Sequence, residues 1–438
     1  MAIDFTLTSE QKDVQRTARD FAQNTLKPIA EKADRHKDAQ ECFLASKPAY
    51  EEAYKLGFAT GFLPSKYGGA DIDLATFVIA AEEICTADPG FAATLLVNGL
   101  ALMPIVWFGS EAQAEKWVLP ATQDPKCEYL AGYAVSEPGG TANYDHPGPH
   151  PAGVSVTAKL DKANGEYVIN GTKYWPTNSG GWDLKGANVN MVTVRVDSSK
   201  GGAEGGLAGM IVPRGTPGMT FKAPIESVGH RLDQNNWIEF ENCRVPVENA
   251  FAVGEGDSII SKAFTWSGPI AGIASVGVAR AAYEWTLEWA KNYTGGGSVP
   301  IIEHQSVGYM LTEIAMNIEA ARYMCWKSAH YLDNCGLEGH GGTGAMAKIF
   351  AGELMMKTVW KCMQVVGVNS LDLNNPLEKY MREALVFPLY DAGNMGMQRR
   401  KLWGVMADKD FNPRAYTDNE AIPFKRSMQG YGTVPSRG

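Results

Sequence analysis

Residues 127–251 form a block of short alternating runs, set between two blocks whose apolar residues recur at helical spacing, and this order restricts the chain to few architectures. In the middle block, GEYVINGTKYWPTN (165–178) reads as a hairpin. MVTVRV (191–196), GMIVP (209–213) and NWIEFENCRVP (236–246) read as further strands. Ahead of it, Thr8 or Ser9 followed by Gln11 and Asp13 is a helix-cap signal, and Val14, Ala18, Phe21, Ala22 and Leu26 continue at helical spacing. PSKYGGADID (64–73) interrupts that block with a turn. Behind the middle block, long helical patterns cover 258–291, 304–333, 343–368 and 384–406. The predicted fold is α+β: an N-terminal α-helical domain (1–126), a middle β-barrel domain (127–251), a C-terminal four-helix bundle (252–407) and a polar tail (408–438).

Composition excludes several classes of function. A chain of 438 residues, 45% hydrophobic and 20% charged, can bury two or three cooperating cores. Its formal net charge of −9 and lack of a concentrated Lys/Arg tract leave no basic face for nucleic acid. The seven cysteines are scattered and never spaced CxxC, as expected of free thiols in a reducing compartment. The histidines form no HExxH or clustered ligand set, so no metal site is expected. Acids near the N-terminus replace the basic and apolar regions of a signal peptide, and no stretch reads as a bilayer span, so a cytoplasmic location is expected. Gly339, Gly341 and Gly344 spell GxGxxG, but the preceding residues read as a helix where a dinucleotide site needs a strand. A loop is expected there.

Chemistry concentrates in three stretches. In GYAVSEPGGTANYDHPG (132–148), glycines let the main chain come close enough for N–H groups to meet anionic oxygens. In GTKYWPTNSGGWDLKGA (171–187), Trp175 and Thr177 pair an indole with a hydroxyl able to donate or accept a hydrogen bond. QVVGVNSLDLNNPLEKYMREALVFPLYD (364–391) sets Gln364, Gly367, Pro376, Arg382 and Tyr390 ahead of Asp391. A carboxylate there is a candidate general base, with a helix N-cap as the plainer alternative.

In this order the three stretches resemble the signatures of the acyl-CoA dehydrogenase superfamily, and the wording of WPTNSGGWD, SEPGGTANYD and GGGSVPIIEHQS is most similar to its nitroalkane oxidase branch. The resemblance covers nearly the whole chain. It implies bound FAD, with Tyr133, Val135 and Ser136 lining the flavin, Gly140 and Thr141 approaching its pyrophosphate, and Trp175 along the ring with the Thr177 hydroxyl beside N5. It implies a homotetramer in which Gln364 and Gly367 of another subunit meet the adenosine half of FAD. Ser298 and Gln305 lie on a segment that in relatives also reaches a neighbour's cofactor through an Arg, which this chain lacks. It gives Asp391 the role of base, and Ser267 matches an active-site serine of the nitroalkane oxidase branch. Gln398 stands where relatives carry an Arg seven residues beyond the base, and Gly268 stands where many acyl-CoA dehydrogenases place a substrate Arg.

The implied reaction is abstraction of an acidic α C–H proton by Asp391, with electrons passing to flavin N5. The substrate is an acyl-CoA thioester, its electrons leaving to an electron-transfer flavoprotein, or a similar activated compound. One alternative is a nitroalkane oxidised with O2 to aldehyde, nitrite and H2O2; another is a non-catalytic flavin-binding relative.

Overall fold

The computed structural model describes residues 5–150, 153–295, 297–337, 342–418 and 420–422. The first helix, Ser9–Phe21, begins with a reciprocal cap: the Thr8 hydroxyl accepts from Gln11 N and the Gln11 side chain accepts from Thr8 N, each at 3.1 Å. Pro89–Phe108 is almost entirely apolar, and Leu74–Cys85 is apolar apart from Thr76, Glu82 and Glu83, because both are packed on most sides. Pro89–Phe108 is long and apolar enough, by length and composition, to cross a membrane, contrary to the reading of the sequence. It is a core helix: 67% of its most apolar window is buried, and it packs on the Ala131–Ala134 strand and the Gly256–Asn292 helix.

The middle block is an eight-stranded sheet: β1 (Ala131–Ala134), β2 (Thr157–Asp161), β3 (Glu166–Thr177), β4 (Val189–Arg195), β5 (Leu207–Pro213), β6 (Met219–Phe221), β7 (Asn235–Pro246) and β8 (Ala250–Phe251). Its order is β6-β7-β3-β2-β4-β5-β8, with β1 parallel to β4 off this path. The path ends at β6 and β8, so among the described residues the expected barrel is open along one seam.

The hairpin expected within 165–178 is instead one twelve-residue strand, β3, whose antiparallel partners are β2 and β7. The chain turns before it, where Gly165 has φ +67°. Asn170-Gly171, which reads as a turn, is a bulge against β7, and a Cβ on Gly171 would stand 3.1 Å from Val156 Cα.

In the C-terminal block, Gly256–Asn292, Gln305–Cys335 and Thr343–Val366 pack on one another, with Leu377–Val386 against the last. Gly268 and Gly344 make the contact between Gly256–Asn292 and Thr343–Val366 close: a Cβ on Gly268 would lie 2.5 Å from Gly344 O. The helix expected over 384–406 is broken. Leu377–Val386 ends before Pro388, and Asp391, Ala392 and Gly393 follow with φ of +47°, +69° and +52° before a helical course resumes at Gly393–Gln398 and Arg399–Ala407.

Both helical blocks share one apolar core, while the sheet has its own around Val156, Ile169, Val192, Met210 and Phe240. An ion network joins the helical blocks: Glu83 pairs with Arg19 (2.8 Å) and Arg280 (2.6 Å), and Glu82 with Arg322 (2.9 Å). The tail packs Ala415 and Ile422 against Val405. Residues 423–438 of the expected tail, like Gly339 and Gly341, lie outside the described residues.

Candidate active site

A cavity of about 900 Å³ lies where the sheet meets the Pro89–Phe108 helix, the Gly256–Asn292 helix and the turn at 387–393. One wall comes from the ends of β1 and β3. Lys173 on β3 and Glu137 just beyond β1 form an ion pair of 2.8 Å, with side chains 0% and 2% exposed. Glu137 also accepts from the main-chain N–H of Ser155 (2.8 Å) and Val156 (3.1 Å) and from the Ser155 hydroxyl, while Lys173 donates to Val135 O at 2.9 Å. Burial pushes the Glu137 carboxyl up, yet Lys173 and these donors outweigh it and hold it below its ordinary value. A buried carboxylate so fully bonded fixes the course of 135–137. Ser136 is thereby exposed on the cavity wall, and its carbonyl accepts from Tyr174 N at 2.8 Å.

Trp175 follows with φ +71°, a conformation costly for a bulky residue, and its indole is 44% exposed along the cavity. Two residues on, Thr177 Oγ1 donates to Asn235 Oδ1 at 2.7 Å, and Asn235 Nδ2 donates to Asp233 Oδ1 at 2.6 Å. With its proton given to Asn235, Thr177 offers lone pairs to whatever occupies the cavity. Tyr133, Val135, Ser136, Trp175 and Thr177 thus supply a flat aromatic face, hydroxyls and main-chain polar groups along one wall, which fits a flavin ring with its apolar faces and polar edge.

Asp391 lines the same cavity from the broken turn. Ser267 Oγ, on the Gly256–Asn292 helix, donates to both carboxylate oxygens, at 2.8 and 3.0 Å. Burial raises the Asp391 carboxyl above its ordinary value, opposed by the charge of Lys348 and by the Ser267 hydrogen bond. Gln398 Nε2 reaches only the main-chain oxygen of Asp391, at 3.3 Å. The helical turn Gly393–Gln398 has Ala392 at its N-cap and no side-chain cap, so Asp391 does not act as one. A carboxylate in a pocket, raised by desolvation and held by one hydroxyl, is suited to accept a proton.

The chain is 32% identical over 432 residues to nitroalkane oxidase of Fusarium oxysporum, an alignment covering 95% of this chain and 97% of that protein. It belongs to the acyl-CoA dehydrogenase superfamily, on the nitroalkane oxidase branch. The family models for the acyl-CoA dehydrogenase N-terminal, middle and C-terminal domains match residues 8–124, 132–243 and 254–404. Short-chain specific acyl-CoA dehydrogenase of Mus musculus is 31% identical over 89% of this chain and 88% of its own length. The solved structure of a nitroalkane oxidase active-site mutant crystallised with 1-nitrooctane superposes with a TM-score of 0.88, at 31% identity, covering 95% of this chain and 99% of that one. This member of the superfamily is an FAD-dependent oxidoreductase.

Seven of the flavoprotein's expected site residues come together in the cavity wall: Tyr133, Val135, Ser136, Trp175, Thr177, Ser267 and Asp391. Gly140 (φ +82°) and the buried Thr141 continue the loop beside the wall without lining it. Ser298, Gln305, Gln364 and Gly367 are exposed and none lines the cavity. Asn235 and Asp233 on the cavity wall, and Lys348 behind the turn that carries Asp391, went unnoticed in the sequence. Lys348 carried a signal, being a lysine among Ala345, Ala347 and Ala351 on the buried side of its helix.

Proposed function

We propose that Asp391 is the general base of this flavoprotein, removing an acidic α C–H proton from an acyl-CoA thioester or a similarly activated compound. The observation that carries this reading is the Asp391 carboxylate in the same 900 Å³ cavity as Trp175 and Thr177. Enclosure raises its proton affinity, and Ser267 holds both oxygens in one orientation. The apolar side chains of Leu96, Leu100, Trp266 and Ile270 exclude water from the substrate's chain. Proton loss leaves the substrate with an electron pair, and FAD, when bound along Tyr133, Ser136, Trp175 and Thr177, supplies the electron sink. The electron acceptor that follows is an electron-transfer flavoprotein for a thioester.

A nitroalkane as substrate, with O2 as acceptor, is favoured by one observation. Among the described residues the cavity is lined by the carboxyl groups of Glu226, Asp233 and Asp391 and by no Lys or Arg. Such a lining suits a small neutral carbon acid better than a multiply charged ester.

The Asp391→Asn variant decides the matter. Mixed anaerobically with a butyryl-CoA-type thioester and with a primary nitroalkane, wild-type protein should bleach its flavin with one of them, and the variant with neither. The pre-ionised nitronate should still bleach the variant if the substrate is a nitroalkane, since no proton remains to be removed. Neutral substrate reducing the variant at the wild-type rate would falsify the assignment.

Assembly as a homotetramer in the cytoplasm completes the proposal. Tyr309, Met316 and Tyr323 are exposed at seven-residue spacing on the Gln305–Cys335 helix, and Trp360, Val368 and Leu371 are exposed near Gln364 and Gly367. Apolar surface of this kind marks an association face. A second copy there would bring Gln364 and Gly367 to a cofactor their own cavity does not reach. All seven cysteines are free, in keeping with a reducing compartment.

A further inference from the structure

A buried lysine supports the turn that carries Asp391 from behind. Lys348, on the Thr343–Val366 helix, is 1% exposed. Its ammonium donates to Phe387 O at 3.3 Å and to Asn394 Oδ1 at 2.8 Å, the two positions that bracket the turn. Between them lie Asp391, Ala392 and Gly393, all in the left-handed region, so the turn needs outside support to persist. The same ammonium stands 5.5 Å from the centre of the Tyr390 ring.

A buried ammonium also needs a counter-charge. Two carboxylates act on Lys348: Asp391 from the turn and Glu353 from its own helix. Glu353 is already paired with Arg399 through contacts of 2.6 and 2.9 Å and accepts from Asn394 Nδ2 at 3.2 Å. Asp391 is therefore the carboxylate left to balance Lys348. From the other side, the groups acting on Asp391 are Lys348 and the Ser267 hydroxyl; the neighbouring Tyr390 phenol is held neutral by burial. Gln398 adds no charge and contacts only the main chain.

We propose that Lys348 is a positioning residue for the base: from behind the turn it ties the Phe387 carbonyl to the Asn394 side chain on either side of Asp391 and supplies the positive charge that keeps the carboxylate ionised. This rests on the reading of Asp391 as base for its use, but not for its test. The lysine's own proton affinity is lowered by burial, to a pKa of about 8, so the support weakens in mildly alkaline solution.

The experiment is an infrared pH titration of the FAD-loaded protein, following the protonated carboxyl band that disappears in Asp391→Asn. No substrate is needed, so failure of the proposed reaction leaves this measurement intact. Lys348→Gln keeps a hydrogen-bond donor without the charge, and Lys348→Met removes both. In each, the Asp391 midpoint should move to higher pH, by at least roughly tenfold in proton concentration. Lys348→Arg should leave it where it is in the wild type. An Asp391 midpoint unmoved in a folded Lys348→Gln or Lys348→Met protein overturns the proposal. Should neither neutral variant fold, a displaced midpoint in Lys348→Arg overturns it equally.

Discussion

Replacing Ser267 with alanine removes one hydroxyl and isolates its effect on Asp391, the proposed base. In the native site Ser267 Oγ lies 2.8 and 3.0 Å from the two Asp391 oxygens, and the serine is 5% exposed. A hydrogen bond to a charged group contributes about 1.5–3 kcal/mol. It favours the ionised carboxylate over the protonated acid, because a charged oxygen is the stronger acceptor. Its loss should therefore move the balance towards protonated Asp391 by up to about one to two orders of magnitude, at 1.36 kcal/mol per tenfold. The sign follows from the geometry: the base works when ionised, so the acid limb of the pH–rate profile should move to higher pH while the alkaline plateau is largely kept. Anaerobic stopped-flow reduction of the flavin across pH measures both. An acid limb in the same place as in the wild type, with FAD content and flavin spectrum unchanged, would show that the hydroxyl does not act on the base.

Thr177→Ala should retain FAD and slow flavin reduction by roughly two- to tenfold, the equivalent of a neutral hydrogen bond of about 0.5–1.5 kcal/mol. Loss of all flavin would make Thr177 structural, and an unchanged rate would remove it from the flavin edge. Lys173→Met strands Glu137 inside the wall without its cation, a change that costs about 3–5 kcal/mol for a buried pair. Its urea midpoint should fall sharply and recover in part when Glu137→Gln is added. A midpoint equal to the wild type would show that the pair does not hold the wall.

The block order was readable because hydrophobic period changes from helix to strand and back, and that signal is local. β4, β5 and β7 begin within two residues of their expected starts. Asp391, Ser267, Trp175 and Thr177 were readable from signature wording, which fixes positions along the chain. Sequence reading failed where a local signal met a tertiary demand. Asn170-Gly171 has the dipeptide of a tight hairpin, but β2 and β7 flank it on both sides and it bulges instead. The run 384–406 is periodic enough for one helix, yet three successive positive φ angles open it so that Asp391 meets Ser267 across the cavity. Lys348 and Asn235 act through partners that sequence distance conceals: Lys348 bonds residues 39 and 46 positions away, and Asn235 bonds Thr177, 58 positions away.

The shared core of the two helical blocks governs the order in which this chain can mature. Pro89–Phe108 leaves the ribosome well before its partner helix Gly256–Asn292, with the whole sheet still to be synthesised between them. Glu82 and Glu83 likewise emerge long before Arg280 and Arg322. Closing so long a loop is entropically slow, and an apolar helix without its cover is prone to aggregate. The nascent chain therefore passes through a stage in which the N-terminal helices are made but cannot complete their packing.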